Sequence, residues 1–208
     1  MKNIIDGYKK FYKQYFLKRT LYQKLFEQQK PTTMFIACCD SRVDPALLVS
    51  AKPGDIFVER NVANVVPHHQ DGPNSILIAL DVALSSFGIQ DIIVMGHERC
   101  AGVAMLAQGQ LEKFGHMPTE YLQREKKLRR LLNITYDEKT SFFYEKLNII
   151  LSCQNLFSHE IVLKSVAEGK VSIHGWYFSL KTGKFEALCL RCNRFTDLLI
   201  KCCGLEVL

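Results

Sequence analysis

The chain has 208 residues, of which 48% are hydrophobic and 23% charged, and this composition excludes an intrinsically disordered protein. The length is sufficient for one domain with a sizeable core. The formal net charge is +6, and the densest basic cluster, REKKLRR at 124–130, carries leucines at helical spacing. This pattern favours a solvated helix face and excludes a strong nucleic-acid patch.

The expected location follows from the absence of targeting signals in the sequence. No stretch approaches the roughly 18 to 20 apolar residues that span a bilayer. The first 20 residues lack the apolar segment and the small-residue cleavage site of a signal peptide. We therefore expect a cytoplasmic protein without a membrane or nucleic-acid partner, whose eight cysteines are reduced thiols or metal ligands.

The predicted elements begin with an amphipathic helical arm over residues 1–30. Aromatic and aliphatic residues recur at near-helical spacing between lysines over 3–28. Pro31 breaks the helix, and the short apolar run TMFIAC is predicted to be a buried strand that ends at Cys38. A turn at KPG then leads into a second strand, DIFVER.

A helix is predicted from Asn74 or Ser75, either of which can cap it, to Gly88. The run DIIVMGH then forms a third strand that ends at His97. Since strands alternate with helices and the strands are continuously apolar, the pattern indicates a parallel sheet covered on both faces. Two further helices are predicted, over 119–132 and 141–167.

The C-terminal part is predicted to contain a β-hairpin. The strand KVSIHGWYFSL turns at KTGK into FEALCL, and the last stretch, RFTDLLIKCCGLEVL, is predicted to be a short helix with a tail. The expected fold class is α/β, with a central, mainly parallel β-sheet flanked by helices, an N-terminal helical arm and a C-terminal β-hairpin extension. We expect a single domain over 1–208, divided into the arm (1–30), the core (31–190) and a tail (191–208).

Three residues able to bind a soft metal ion lie at the predicted strand ends. Cys38 ends the first strand, while His97 and Cys100 form an H-x-x-C pair where the third strand turns into a helix. The carboxyl ends of parallel strands share one edge of a sheet, where ligands bind. Two thiolates and an imidazole select zinc over hard cations and leave a fourth position open. The sequence thus predicts one Zn²⁺ per chain, held in the core, and no other cofactor.

Asp40 and Arg42 follow the first cysteine closely. In an extended turn, residues two apart point to the same side, so the carboxylate and the guanidinium come within bidentate reach. One interpretation is a helix cap with a surface ion pair, worth at most about 1 kcal/mol. The other is that Arg42 holds Asp40 as a proton acceptor that orients zinc-bound water.

Four spaced motifs carry a family resemblance: CCDSRVDP, PGDIFVERNVANVVP, GHERCAG and HGWYFSLKTG. Together they resemble β-class carbonic anhydrases, from the N-terminal arm to the hairpin near residue 190. The resemblance implies a zinc enzyme that reversibly hydrates carbon dioxide to bicarbonate and a proton through attack by zinc-bound hydroxide. It implies metal binding by Cys38, His97 and Cys100, and catalytic roles for Asp40 and Arg42.

The same resemblance implies further site residues and an assembly. Phe57 and Val62 match apolar positions of the substrate cleft, and Gln29 matches a substrate-orienting amide contributed at the subunit boundary. The family forms homodimers or homotetramers in which the N-terminal arm embraces the partner subunit. Dimer and tetramer are not distinguished by the sequence.

Two forms of the family differ in zinc's fourth ligand, which is either water or the aspartate of the C-x-D-S-R motif. In the closed, bicarbonate-inhibited form, a tryptophan three residues before the first zinc cysteine helps to build an anion pocket. This chain has Phe35 there, while Arg60 is expected to be available as an anion contact. We expect the open form. The chain also departs from many relatives at Ala101 and at Val82, where some place a cleft tyrosine, and at Cys39, which should face away from the metal.

Two other functions compete with this interpretation. A related zinc hydrolase on the same scaffold would act on carbon disulfide or carbonyl sulfide, and a non-catalytic zinc- or anion-binding regulator would lose Asp40 or Arg42. Turnover rate, the physiological use of the bicarbonate and the proton shuttle stay open, with His68 favoured slightly as shuttle for its sequence position. The roles of four further thiols are also open: Cys189, Cys192, Cys202 and Cys203.

Overall fold

The computed structural model describes residues 1–17, 21–189 and 192–199 and contains a six-stranded sheet in the order β2-β1-β3-β4-β5-β6. The first four strands in this order are parallel, and the last two are antiparallel additions. The strands are β1 (Thr33–Cys38), β2 (Ile56–Asn61), β3 (Asp91–His97), β4 (Ser172–Phe178), β5 (Phe185–Cys189) and β6 (Arg194–Asp197). The expected α/β fold class is confirmed.

Helices connect and cover the strands. They are α1 (Lys2–Phe11), α2 (Leu21–Glu27), α3 (Pro45–Leu48), α4 (Ser75–Val82), α5 (Ala101–Gln108), α6 (Thr119–Leu131), α7 (Ser141–Leu156) and α8 (Glu160–Ala167). Single π-helical turns extend α1 over Tyr12–Phe16 and α4 over Ala83–Phe87, and short 3₁₀ turns lie at Val62–Asn64, His69–Asp71 and Leu111–Lys113. In the part of the chain described here, no helix combines the length and apolarity needed to cross a bilayer.

Successive side chains of β1 point to opposite faces of the sheet, and both faces are covered by helices. Met34 and Ile36 point into one buried cluster, which α4, α8 and one side of α7 complete. Phe35 and Ala37 point into the other, which α5, α6 and the other side of α7 complete. The central strands β1 and β3 are buried almost throughout because each residue faces one core or the other, as expected for parallel strands covered on both faces.

The register places the ends of β1 and β3 side by side. Ala37 lies opposite Met95, so Cys38 is level with Gly96 and His97 extends one residue further. The turn after β3 then leads directly into α5, whose N-cap is Cys100. The sheet thus brings all three predicted ligands to its carboxyl edge.

The caps and turns of the central unit agree with the predictions. Asn74 caps α4 by accepting a hydrogen bond from the Leu77 amide at 3.2 Å. Gly88 ends the following π-helical turn in the left-handed conformation, with φ of 66°. The hairpin of β4 and β5 around KTGK is also confirmed.

Two predicted helices were wrong. The interval 141–167 is interrupted at residues 157–159, where the chain leaves α7 and begins α8. Residues 194–197 form strand β6 instead of a helix, because the antiparallel β5 offers a free edge and Phe195 packs against the core beside Tyr177. The rest of the predicted C-terminal helix, from residue 200, lies outside the described residues.

Candidate metal centre

The three predicted ligands meet at one point. One donor atom from each of Cys38, His97 and Cys100 lies within 4.8 Å of the other two, and all three residues are buried. The two Sγ atoms are 3.7 Å apart. Ligands bound tetrahedrally at about 2.3 Å, the zinc–sulfur distance, lie about 3.8 Å from each other. The thiols therefore already have the spacing that one tetrahedral ion requires.

The imidazole of His97 is held in the tautomer that a metal needs. Its Nδ1 lies 2.9 Å from the carbonyl oxygen of Glu98, which can only accept a hydrogen bond, so the proton is on Nδ1. The Nε2 lone pair then faces the thiols. This buried Nε2 has no hydrogen-bond partner among the described residues. An unpartnered buried nitrogen beside two thiols fits a soft divalent cation.

The two thiols are hydrogen-bonded to each other. This hydrogen bond lowers the pKa of Cys38. The same bond, together with burial, raises the pKa of Cys100. Metal binding requires both thiolates, so it would release any proton that they still hold.

Asp40 and Arg42 form the predicted bidentate pair. Arg42 donates from Nε to Oδ1 at 2.9 Å and from Nη2 to Oδ2 at 2.7 Å. The Arg42 amide also donates to Oδ1, and Nη2 is shared with the carbonyl of Arg99, which precedes the ligand Cys100. These bonds hold the pKa of Asp40 well below its usual range, so the carboxylate is ionised at neutral pH. Its Oδ2 lies 3.9 Å from Nε2 of His97.

Arg60 is occupied by the backbone around the first ligand. It donates from Nε to the Cys38 carbonyl at 3.0 Å, and from Nη2 to the carbonyls of Asp40 at 2.8 Å and Val43 at 2.6 Å. The expectation that it is available as an anion contact is therefore wrong for these two nitrogens. Its role is to hold the turn that places Cys38 and Asp40.

The predicted substrate-binding residues divide into two groups. Val62 lies near the centre, since it packs against Gly102 at the start of α5. Phe57 is four residues before the end of β2, about 13 Å along the strand from the level of Cys38. It packs against Phe87 on the other face of the sheet, and Gln29 is exposed after α2. A single chain does not bring Phe57 or Gln29 to the metal centre.

Residues 62–67, here called the cleft loop, follow β2 in a strained conformation. Ala63 and Asn64 are both buried and have φ of 62° and 45°, which non-glycine residues seldom adopt. A Cβ on Gly102 would lie 2.7 Å from Cγ1 of Val62 and 3.0 Å from the Ala63 backbone nitrogen. The loop therefore packs tightly against the first turn of α5, whose N-cap is Cys100.

This contact gives a first prediction. Gly102→Ala is expected to destabilise the protein by about 1–3 kcal/mol, because the new methyl group overlaps the cleft loop and the rigid backbone cannot give way. Denaturant unfolding measures the loss. Gly115→Ala is the matched control, since no atom lies within 4 Å of the position of its Cβ. Equal denaturation midpoints for the two variants would show that a methyl group fits at Gly102 without displacing the loop.

Glu145 on α7 was not predicted as a site residue, although it lies directly behind the ligand turn. Its Oε1 accepts a hydrogen bond from the Cys100 amide at 3.3 Å, and its Oε2 accepts one from the Tyr177 hydroxyl at 2.8 Å. Burial raises the pKa of Glu145 in spite of these bonds. The carboxylate fixes the backbone from which Cys100 reaches the centre.

The other expected residues lie away from the centre or on its margin. Cys39 is exposed and is not part of the ligand group. His68 caps the 3₁₀ turn that follows it and, with Arg124 and Lys127, lines a cavity of about 640 Å³ that none of the three ligands lines. Val82 is partly exposed at the end of α4.

Fold and site together define an α/β protein in which a buried group of two thiols and an imidazole, able to hold a metal ion, lies at the carboxyl edge of the parallel strands. Comparison with known families specifies it further. The family model described as carbonic anhydrase matches residues 33–185, and the chain belongs to the carbonic anhydrase family. It is an enzyme of the β class of that family, as its sequence motifs predict.

Individual relatives agree with this assignment. The chain is 30% identical to a carbonic anhydrase of Pseudomonas aeruginosa over 95% of its own length and 92% of the relative's. It is 32% identical to carbonic anhydrase 1 of Escherichia coli O157:H7, over 90% and 87% of the two chains. Among solved structures, the β-carbonic anhydrase CcaA superposes with a TM-score of 0.87 at 28% identity, covering 95% of this chain and 98% of that one. A tetrameric β-carbonic anhydrase of Sordaria macrospora matches with a TM-score of 0.68 at 25% identity, over 90% and 92%.

Proposed function

We propose that the chain binds one Zn²⁺ through Cys38, His97 and Cys100 and reversibly hydrates carbon dioxide to bicarbonate and a proton. The observation that carries the proposal is the ligand triad, whose two thiols have the spacing of tetrahedral ligands, with an ionised Asp40 beside it. Bound zinc supplies a nucleophile at neutral pH by lowering the pKa of water to about 7, a value for which carbonic anhydrase itself is the standard example.

The protein's part in the reaction is to orient the nucleophile. Both oxygens of Asp40 are held by Arg42, and Oδ2 is the one that faces the ligand His97. An ionised carboxylate can only accept hydrogen bonds. We propose that Oδ2 would accept a hydrogen bond from the nucleophile, without taking its proton, and would thereby orient a lone pair toward the substrate carbon. Arg42 keeps Asp40 ionised and at this angle.

The same contacts support the open form of the centre. Asp40 would have to give up its bonds to Arg42 in order to ligate the metal. The position of the tryptophan found in the inhibited form is taken by Phe35, which is buried edge-on against Trp176 at 5.8 Å between centroids. The guanidinium of Arg60, moreover, is bonded to backbone carbonyls. These features give bicarbonate few donors next to Phe35.

We propose that the active site is completed in a homodimer or homotetramer. Val62 would supply an apolar wall within one chain, whereas Phe57 and Gln29, which lie away from the metal centre of their own chain, would act at the site of a second copy. The arm supports this proposal because α1 buries none of its residues in its own chain, and Ile4 and Tyr8 are 72% and 62% exposed. Light scattering should give a mass of two or four chains, and deletion of residues 2–16 should lower it.

The remaining expectations are part of the same proposal. We propose a cytoplasmic enzyme without nucleic-acid or membrane partners, folded as one domain over 1–208 with the arm, core and tail boundaries given above. Its substrates are carbon dioxide and bicarbonate. Carbon disulfide and carbonyl sulfide hydrolysis is the competing activity on the same scaffold.

Stopped-flow carbon dioxide hydration tests the function. The zinc-loaded protein is compared with protein stripped by a chelator and with stripped protein to which Zn²⁺ is restored, at pH 7 to 9. We expect activity that is lost and then recovered with one Zn²⁺ per chain. No rate above buffer in the loaded protein would refute the proposal, and turnover of carbon disulfide alone would assign the competing activity.

A further inference from the structure

Every backbone carbonyl of the cleft loop accepts a hydrogen bond from a side chain. The donor–acceptor distances are 2.6 to 3.1 Å. For carbonyls 62 to 67 in order, the donors are Tyr121, Asn148, Ser152, Asn61, Arg124 with Asn155, and His159. Carbonyls of surface loops usually bond to water or to the backbone, so six consecutive carbonyls with side-chain donors indicate that these donors hold the loop in place. The donor side chains just listed are here called the clamp.

The centre of the clamp is a buried polar face of α7. Asn148, Ser152 and Asn155 are spaced four and three residues apart, which puts them on one side of the helix, in line with Glu145. Asn148 and Ser152 are completely buried. This polar face of α7 therefore binds the cleft loop and, through Glu145, the turn that carries Cys100.

Arg124 joins this face to α6. It donates from Nη1 to the Asn148 carbonyl, the Asn148 side chain and the Ser152 hydroxyl, and from Nη2 to the Val66 carbonyl. Among the described residues no carboxylate pairs with it at salt-bridge distance. Burial lowers the pKa of Arg124 to about 10, so it is still a cation at neutral pH. A buried cation bonded only to neutral acceptors holds them by charge-assisted hydrogen bonds.

The clamp presses the loop against the segments that carry the metal ligands. Gly102, two residues after Cys100, has room for no side chain beside Val62 and Ala63. A Cβ on Gly96, the residue before His97, would lie 2.7 Å from Ile149 of α7 and 3.4 Å from Oδ1 of Asn64. The position of the loop and the positions of His97 and Cys100 are thus coupled by direct packing.

We propose that the polar face of α7, together with Arg124, is a positioning element that holds the strained cleft loop, and with it the apolar wall at Val62, against the metal-ligand segments. Asn148 and Ser152 are positioning residues, because they contact the loop and not the ligand atoms. The effect on the rate rests on the proposed function, whereas the effect on the loop does not.

Asn148→Asp tests the proposal with almost no change of shape. The carboxylate keeps the acceptor for Arg124 but replaces the amide that donates to the Ala63 carbonyl, so two acceptors face each other. We expect amide exchange at Val65 to accelerate at least tenfold, although the acceptor of that amide, Asn61 Oδ1, is unchanged. We expect kcat/KM per bound zinc to fall about 10- to 100-fold, since small displacements of positioned groups cost that much. Zinc content should stay at one per chain, because none of the three ligands is changed.

Val162→Ala on α8 is the control, because it opens a cavity in the core but removes none of the hydrogen bonds to the cleft loop. If Val65 exchange and kcat/KM in Asn148→Asp change no more than in this control, the proposal is overturned. If Asn148→Asp does not fold, Tyr121→Phe takes its place, because it removes only the hydrogen bond to the Val62 carbonyl. We expect kcat/KM to fall three- to tenfold in this variant, the effect of one hydrogen bond. An unmutated protein without hydration activity would refute the proposed function, while Val65 exchange would still decide the clamp.

Discussion

Cys38→Ser is expected to abolish zinc-dependent carbon dioxide hydration. The hydroxyl is shorter and harder than a thiolate and does not ionise at neutral pH, so the centre loses one of its two sulfurs and one of its negative charges. Changes that only support a ligand already cost 10- to 100-fold in metal affinity. We expect the loss of zinc affinity to exceed about 100-fold and kcat/KM to fall more than about 1,000-fold. Competition with a chromophoric chelator measures the first and stopped-flow hydration the second.

The adjacent thiol provides the matched control. Cys39→Ser makes the same chemical change one residue later, at an exposed side chain outside the ligand group. It should keep one zinc per chain and a rate within about twofold of the unmutated protein, as expected for surface substitutions. Loss of zinc in Cys39→Ser with retention in Cys38→Ser would reverse the assignment of the two cysteines.

The central part of the fold was predictable because local signals agreed with one another there. The strands β1 and β3 are short apolar runs, and the ends of all four parallel strands could be placed within about two residues from prolines, glycine turns and caps. At the C terminus the local sequence signals conflicted with one another. The RFTD segment precedes an apolar LLI run, which suggested a helix, and only the free edge of β5 makes it a strand. Pairing with a distant edge is a tertiary effect that propensity does not encode.

The ligands of the site were predictable, but the groups that hold them were less so. Cys38, His97 and Cys100 belong to a rare chemical type at a recognisable spacing. Arg60 was expected to be available as an anion contact. Its bonds to three nearby carbonyls could not be predicted, because they depend on the turn geometry after β1. The polar face of α7 did leave a signal in EKLNIILSCQN, where polar residues recur every three or four positions in an apolar helix.

Asp40→Asn is expected to separate the chemistry from metal binding. The amide keeps the size of the carboxylate but cannot accept hydrogen bonds from Arg42 at both of its terminal atoms, so the pair breaks. Since Asp40 is not one of the three ligands, zinc should stay at one per chain. We expect kcat/KM to fall about 100- to 10,000-fold, because the nucleophile loses the acceptor that orients it. Stopped-flow hydration per bound zinc is the measurement.

The same variant decides between the open and closed forms. In the closed form Asp40 occupies the fourth position of the metal, so its removal would free that position, raise the rate at neutral pH and alter the cobalt(II) spectrum. In the open form the rate falls and the spectrum changes little. Asp44→Asn is the control, because Asp44 caps α3 through the Leu47 amide and asparagine caps a helix equally well. A rise in rate for Asp40→Asn, with Asp44→Asn unchanged, would show that the bidentate bond to Arg42 yields to the metal when zinc is bound.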